Sequence, residues 1–340
     1  MGTVHKHLMG ILMFLVGAGG LTAQPEFQFT IQTWAHSTVD RRTGSTNAQL
    51  GFGVRRARLR GRMTQGRASA FIQYEALSSK LLNARIDYAF GDNFTLRMGR
   101  IIGPGSQAGV RTPHTAIDFA ERSIVGRYWS SAVKRPDGRS FGLVALGRTN
   151  LLRYEIMASN GDSELNLRPY NTDFSSSTTG AGIMPQIDLM LIIDQWSAVE
   201  AGLHIGLPNQ NRVNVGSLTG YAYYRPQVYQ AGAVRGKLDL AMVLDRTGPA
   251  ESTLAGVGFS GFYKINDNME IGAGYAFWDP DLAADGDAVG NITAVVTYSP
   301  NPQRWQDTLF KLAVTYKTTE ASGAAPDPLL IHLVWQIYLH

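Results

Sequence analysis

The sequence predicts an all-β protein, a transmembrane, antiparallel, up-and-down β-barrel of about sixteen strands. Three observations predict this class. Apolar and polar residues alternate with a period of two through most of the chain, which gives each strand two different faces. The connections between these strands are alternately short and long, and aromatic residues recur near the strand ends. The strands are roughly 10 residues long, the length that a tilted strand needs to cross a bilayer.

Composition excludes several other classes. The chain has 340 residues and no cysteine, which excludes disulfide scaffolds, thiol nucleophiles and cysteine-based metal sites. After residue 24 the most apolar run is Leu189–Ile193, far shorter than the roughly 18 apolar residues of a membrane helix. A formal net charge of +4 is too small to indicate nucleic-acid binding, so nucleic acid is not expected as a partner.

The first element is a predicted secretory signal peptide at residues 1–23. His5, Lys6 and His7 give a basic start, an apolar run follows over Leu8–Ala18, and small residues up to Ala23 offer a cleavage site. A membrane anchor would need an apolar run of about 20 residues. The mature chain is therefore expected to begin near Gln24 and to form one barrel domain over 24–340. In a cell with two membranes, export leads to the periplasm, the outer membrane or the exterior.

The strands follow in order. In 82–90, Leu82, Ala84, Ile86, Tyr88 and Phe90 share one face, and 152–158, 237–245 and 333–339 alternate as clearly. Twelve further candidate strands lie at 26–36, 49–63, 68–76, 94–101, 139–147, 183–193, 198–206, 216–224, 254–265, 269–278, 289–299 and 310–316.

The connections fall into two sets. Short turns are expected at 64–67, 91–93, 148–150 and 266–268, and longer connections at 37–48, 102–138, 160–181 and 318–327. A barrel with short periplasmic turns and long external loops predicts this asymmetry. The connection at 77–81 is short where a long loop is expected, and the boundaries through 216–236 are ambiguous. The strand count therefore holds to within about two.

The direction of the two faces needs a separate argument, because a soluble β-sandwich alternates in the same way. Phe27, Phe52, Tyr88, Tyr275 and other aromatic residues lie on the apolar face near strand ends, as in the aromatic girdles of membrane barrels. A soluble barrel of about sixteen strands would enclose more space than its apolar side chains could fill. We therefore expect an apolar exterior in contact with outer-membrane lipid and a hydrated lumen.

A row of arginines is the sharpest local feature. In GVRRARLRGRM (53–63), Arg56, Arg58, Arg60 and Arg62 are two residues apart, so one strand presents all four on one side. The apolar residues upstream of Arg55 have the opposite phase, which predicts a β-bulge near Arg55.

Four guanidiniums in one column repel each other unless water, anions or acidic groups screen them. Water in the lumen can do this, and Glu75 and Asp87 on adjacent strands could neutralise part of the row. The row favours a cationic track that attracts anions. The alternative is a paired, solvated face that keeps the lumen wet.

The long connection 102–138 is the third loop of the predicted barrel. With its flanks (100–140) it carries seven basic and three acidic residues, a local balance of +4. Structureless loops of this length are usually functional. Folded into the barrel, it would narrow the lumen and place Arg111, Arg122 and Arg127 where anions pass, and arginine can bind an oxyanion through two parallel hydrogen bonds. The alternative is an external surface loop.

Several segments resemble the phosphate-selective porin O/P family. They are NARIDYAFGDNFTLRMGRIIGPGSQAG (83–109), IDFAERSIVGR (117–127), YEIMASNGDSELN (154–166), YAFWDPD (275–281) and VVTYSPNP (295–302), together with the arginine-rich second strand. The resemblance implies a sixteen-stranded outer-membrane barrel, usually a trimer, with an inward-folded third loop and an arginine ladder that guides anions to a constriction. The ladder corresponds to Arg56, Arg58, Arg60 and Arg62, and the constriction loop to 102–127, which includes Arg111 and Arg122.

The sequence departs from this family at two points. Phosphate-specific members carry a lysine cluster, whereas the six lysines after residue 24 are widely scattered here. The chain ends in Leu339 and His340, where such barrels typically end in phenylalanine.

Three other motifs were weighed. GVGFSG (256–261) matches a dinucleotide-binding pattern but lies in a strand with no helix after it. The aspartates at 279–287 lack EF-hand spacing, and no serine lies in a nucleophile-elbow motif. We therefore expect no enzyme activity, no cofactor and no metal. The predicted function is a porin that lets small anions diffuse passively through a water-filled, anion-preferring channel, with phosphate as a candidate solute. The alternative is a non-conducting structural or adhesin-type outer-membrane barrel.

Overall fold

The computed structural model describes residues 25–40, 47–135, 138–160, 186–196, 198–208, 214–248, 250–319 and 329–340. The predicted signal peptide (1–23) lies outside the described residues. So do parts of three predicted long connections, at 41–46, 161–181 and 320–327.

The described residues form sixteen strands, each antiparallel to the next, and the last pairs with the first to close the ring. The predicted barrel of about sixteen strands is confirmed. The strands are β1 (Glu26–Asp40), β2 (Asn47–Gln65), β3 (Ala68–Glu75), β4 (Lys80–Ala89), β5 (Phe94–Ile102), β6 (Arg139–Arg148), β7 (Arg153–Ser159), β8 (Gln186–Trp196), β9 (Val199–Gly206), β10 (Val215–Tyr224), β11 (Val234–Asp245), β12 (Ser252–Asn266), β13 (Met269–Asp279), β14 (Val289–Tyr298), β15 (Thr308–Thr319) and β16 (Leu329–Leu339).

The two ends of the barrel differ in their connections. The end that carries the start of β1 and the end of β16, called here the terminal end, has the short turns 66–67, 90–93, 149–152 and 267–268. The opposite end, the loop end, carries the third loop. Two other connections at the terminal end, 225–233 and 299–307, are longer than the short turns predicted for this end. The ambiguous connection near 77–81 is a short turn at 76–79 on the loop end. It joins two separate strands, β3 and β4, so the strand count is sixteen.

The barrel has an apolar exterior and a polar interior. Phe52, Ile86 and Met98 on the outer face are 81%, 63% and 67% exposed, whereas the polar residues Arg56, Asn83 and Arg100 of the same strands are buried. This is the reverse of a soluble protein, in which the apolar face is hidden. No helix in the described part of the chain is long and apolar enough to span a membrane.

The predicted bulge in β2 is confirmed at Arg55. Gln32 of β1 pairs with Arg56, but the next residue, Thr33, pairs with Val54, so Arg55 is the extra residue. The bulge reverses the phase of β2. As a result, Val54 faces outward while Arg55 and Arg56 both reach into the barrel.

The third loop lies inside the barrel, as predicted. It contains a π-helical turn (Gln107–Arg111), a 3₁₀ turn (His114–Ala116) and helix α1 (Ile124–Ala132). Val125 and Trp129 of α1 pack against Val243 of β11 and Trp278 of β13, which forms an apolar core on one side of the lumen. Gly126 of α1 and Gly109 of the π-helical turn approach backbone to backbone, and a Cβ on Gly126 would overlap the Cα of Gly109.

Candidate functional site

The strand register places the predicted arginine row on the inner wall. Arg56 and Arg58 lie opposite Gln32 and Thr30 of β1, and Arg60 and Arg62 continue the same face toward the terminal end. The structure therefore brings all four predicted residues into one column along the lumen.

The first two arginines of the row are partly compensated. Arg58 Nε donates to Glu75 Oε2 at 2.7 Å, so the predicted pairing with Glu75 is confirmed. Arg56 donates to the neutral Gln32 at 2.7 Å, and its nearest carboxylate is Glu121 of the third loop at 4.0 Å. Asp87 does not reach the row, because it faces β5 and pairs with Arg97 at 2.7 Å.

The last two arginines of the row contact rings rather than acids. Arg62 lies 5.8 Å from the Phe71 ring centre, and Arg60 lies 5.6 Å from that of Tyr338. Among the described residues, neither guanidinium has a carboxylate within 4.0 Å. Arg60 Nη2 also lies 3.1 Å from His114 Nδ1 in the loop. A guanidinium only donates hydrogen bonds, so Nδ1 accepts and the imidazole carries its proton on Nε2.

His114 is held neutral by its surroundings. Burial lowers the pKa of His114 far below its usual range, and the nearby guanidiniums of Arg58, Arg60 and Arg56 lower it further. The loop therefore meets the arginine row with a neutral ring and adds no further positive charge there.

Ion pairs fasten the loop to the wall on several sides. Asp118 accepts hydrogen bonds from Arg235 Nη1 and Lys237 Nζ of β11, each at 2.6 Å. Burial alone would raise the pKa of Asp118, but Lys237 and Arg235 outweigh it and hold the pKa at about 2. Three further pairs fasten the loop to β2, β7 and β8: Glu121 with Arg55 at 2.7 Å, Arg111 with Glu155 at 2.6 Å, and Arg135 with Asp188.

The three loop arginines predicted for the constriction differ in their surroundings. Arg111 is bonded to Glu155 and to the Gly103 carbonyl oxygen, so it anchors the loop. Arg122 and Arg127 line a cavity instead. Burial and the charge of Arg58 lower the pKa of Arg122 to about 10, which still leaves it cationic at neutral pH.

Two cavities lie on opposite sides of the loop. The loop-end cavity has a volume of about 1020 Å³ and receives residues 119–124 of the loop, and the terminal-end cavity has a volume of about 820 Å³ and receives residues 115–118. They share no lining residue, so the loop lies across the lumen between them. The loop-end cavity is lined by seven basic side chains (Arg55, Arg56, Arg58, Lys80, Arg122, Arg127 and Lys317) and three acidic ones (Glu75, Glu121 and Asp239).

A lysine group in the terminal-end cavity was missed by the sequence analysis. Lys237, Lys264 and Lys311 line it together with Arg235, although they lie far apart in the chain. Each occupies an inward position of its strand. The period-two alternation predicts this for each lysine separately, but it does not predict that the three line one cavity. The loop joins two of them, because Asp118 bonds Lys237 while the Lys311 ammonium donates to the carbonyl oxygens of Ile117 and Asp118. Lys264 instead lies over the Trp305 ring.

Comparisons with known proteins support the architecture. The anion-selective porin from Comamonas acidovorans matches with a TM-score of 0.66 at 12% identity, over 93% of this chain and 100% of that one. The outer membrane channel DcaP of Acinetobacter baumannii matches with a TM-score of 0.63 at 12% identity, over 93% and 97% of the two chains. Salmonella typhi OmpF in complex with daunomycin matches with a TM-score of 0.63 at 11% identity, over 92% of this chain and 97% of that one.

The chain has the fold of the outer-membrane porins. At these identities the likeness establishes the fold alone. No protein-family model matches the sequence, and no curated protein matches it. Membership of the phosphate-selective porin O/P family therefore stays a prediction.

Proposed function

We propose that the protein is an outer-membrane porin whose lumen is a water-filled, anion-preferring channel for the passive diffusion of small anions, with phosphate as one candidate. The observation that carries the proposal is the column Arg56, Arg58, Arg60 and Arg62 on the inner wall, of which Arg58 alone has a carboxylate closer than 4.0 Å among the described residues. Fixed cations in a narrow passage with low-dielectric walls raise the local concentration of anions and repel cations.

The loop-end cavity supports the same sign of selectivity. Its basic side chains outnumber the acidic ones by seven to three, and Arg122 and Arg127 add charge from the loop side. A solute that enters from this end meets the positive lining before it reaches Arg60 and Arg62.

The proposed setting follows from the barrel surface. A band of exposed apolar side chains surrounds the strands and would contact outer-membrane lipid, with the terminal end in the periplasm. The predicted cleavable signal would direct the chain there. A trimeric assembly is proposed because the fold neighbours include OmpT of Vibrio cholerae in a trimer form, which matches with a TM-score of 0.60 at 9% identity, over 93% of this chain and 99% of that one.

The test is the reversal potential of the purified protein in planar bilayers under a KCl gradient. We expect the sign of an anion-preferring channel. Replacing Arg60 and Arg62 together by glutamine should move the reversal potential toward zero, since two charges without a nearby carboxylate are lost. Arg246→Gln is the matched control, because Arg246 is an exposed loop-end residue paired with Glu251 at 2.9 Å. A cation-preferring reversal potential in the unmodified protein would overturn the selectivity.

One observation favours the second candidate, a non-conducting structural or adhesin-type barrel. The third loop is fastened to β2, β7, β8 and β11 and lies between the two cavities. Conductance decides between the two functions. Folded protein that inserts into bilayers without opening channels would support the structural barrel and reject the porin.

A further inference from the structure

We propose that the loop-end cavity binds planar aromatic carboxylates, with the solute ring against Trp34, His36 and His332 and its carboxylate beside the neighbouring arginines. The inference rests on the proposed channel function and names the class of organic anion that this lumen would hold longest.

The ring group consists of Trp34 and His36 on β1 and His332 on β16. Trp34 and His36 are two residues apart and so share the inward face, and His36 pairs directly with His332 across the strands. The ring centres of Trp34 and His332 are 5.2 Å apart at an interplanar angle of 28°, and those of His36 and His332 are 5.8 Å apart at 18°. The Trp34 and His36 rings are tilted by 36° with centres 5.7 Å apart, and all three residues line the cavity.

The neighbouring strands cover these rings only in part, because Trp34 packs against the apolar group that includes Ala313 and Val334. The β2 residues opposite His36 and Trp34 are Gly51 and Gly53. A Cβ at Gly53 would lie 3.4 Å from Trp34 Nε1, and one at Gly51 would lie 3.6 Å from His36 Nδ1. On the other side, the residue of β15 opposite His332 is the small Ala313. Larger side chains at these positions would close the space beside the ring group.

A polar atom in the ring group lacks a partner. His332 is 6% exposed and lines the cavity, yet its Nδ1 has no hydrogen-bond partner among the described residues. Buried polar atoms are nearly always hydrogen-bonded. Because Nδ1 itself is out of contact with solvent, a solute group would reach it only after a shift of the rings.

Arginine side chains lie next to the ring group. The Arg55 guanidinium lies 5.2 Å from the centre of the Trp34 ring and is bonded to Glu121 at 2.7 Å. Arg56 follows on the same wall, with Glu121 only at 4.0 Å, and Arg127 also lines the cavity. Two cations share one carboxylate here, so a second carboxylate, carried by the solute, would complete the charge balance. A guanidinium is well suited to bind it through two hydrogen bonds.

Size and chemistry together select the aromatic class. A cavity of about 1020 Å³ is far larger than an inorganic ion requires and lies in the range of small-molecule sites. Chloride or phosphate can use the arginines but gains nothing from the rings, whereas a benzoate-like anion can use both.

The experiment compares benzoate with cyclohexanecarboxylate, which has similar size and the same charge but no aromatic face. Affinities are measured by calorimetry on the folded full-length chain in detergent, and by block of the chloride current in bilayers. We expect benzoate to bind about fivefold more tightly, the size of effect that one aromatic contact gives. Trp34→Leu should remove this preference. Trp335→Leu should keep it, because Trp335 is on the outer face and 48% exposed.

The outcomes separate this inference from the proposed function. Equal affinity for the two acids in an anion-preferring channel would overturn the aromatic site and leave the porin intact. Preferential benzoate binding by a protein that does not conduct would support the site and reject the channel. If Trp34→Leu does not fold, His36→Leu replaces it, and an unchanged benzoate preference in a folded variant of either residue contradicts the proposal.

Discussion

Asp118 is the side chain on which the position of the third loop depends most directly. Its carboxylate bridges Arg235 and Lys237, and the pKa of Asp118 is held at about 2 against an ordinary value of 3.8. This difference corresponds to roughly 2 kcal/mol of interaction that the ionised carboxylate makes in the docked loop. Asp118→Asn keeps the shape but removes the charge, and it leaves Lys237 without a carboxylate within 4.0 Å among the described residues.

The expected result is a loop that opens more often while the barrel stays closed. The strands are joined by complete backbone ladders, whereas the loop depends on side-chain pairs. A loss of roughly 2 kcal/mol raises the open population by a factor of some tens. Hydrogen exchange by mass spectrometry should therefore show faster exchange of the loop amides of Thr112 and Ala116, which are bonded to Gln107 and Pro113. Glu251→Gln, an exposed loop-end change, is the matched control.

The pH dependence provides a second test of the same carboxylate. A carboxyl whose pKa is lowered in the folded state stabilises that state above its ordinary pKa, and this stabilisation is lost as pH falls toward the folded value. Loop protection in the unmodified chain should therefore decrease between about pH 4 and about pH 2 and approach that of Asp118→Asn. Equal exchange in the two proteins at pH 7 would refute the role of Asp118 as an anchor.

Three further predictions follow from the packing of the loop and the charges of the lumen. Gly126→Ala should destabilise the protein by about 1–3 kcal/mol in thermal unfolding, because the new Cβ meets the Gly109 backbone, whereas Gly261→Ala, which meets nothing within 4 Å, should have little effect. Trp129→Ala should cost about 3–5 kcal/mol and raise protease sensitivity within the loop, and an unchanged cleavage pattern would contradict its packing role. Glu75→Gln should strengthen anion preference in bilayers by releasing Arg58, and a shift of the reversal potential in the opposite direction would contradict this.

The parts of the fold that depend on neighbouring residues were predictable from the sequence. The alternation of apolar and polar residues identified the faces of the strands, and the change of phase before Arg56 located the bulge at Arg55. The inward column of arginines follows from the same two facts, because residues two apart on a strand share a face.

The parts that depend on the path of the third loop were not predictable. Asp118 and Lys237 are more than 100 positions apart, and no local pattern indicates that they meet. The lysines of the terminal-end cavity were missed for the same reason. Arg111 was predicted for the constriction loop from its residue type and its position, yet its pairing with Glu155 depends on where the loop crosses the barrel.

The loop divides the cations of the lumen into two groups with different roles. Arg55, Arg111, Arg135, Arg235 and Lys237 are used to fasten the loop, and their charges are largely cancelled by the carboxylates that they bind. A second group, Arg60, Arg62, Arg122 and Arg127, has no carboxylate within 4.0 Å among the described residues, and of these Arg60 also meets the loop at His114. Selectivity should therefore respond to this second group, while loop stability responds to the first. Removing a fastening arginine costs stability and exposes its carboxylate partner, so it lowers anion preference through a disordered loop and a new negative charge. Removing Arg62 should lower anion preference while the loop stays ordered and no carboxylate is exposed. This difference distinguishes cations that select anions from cations that only hold the loop in place.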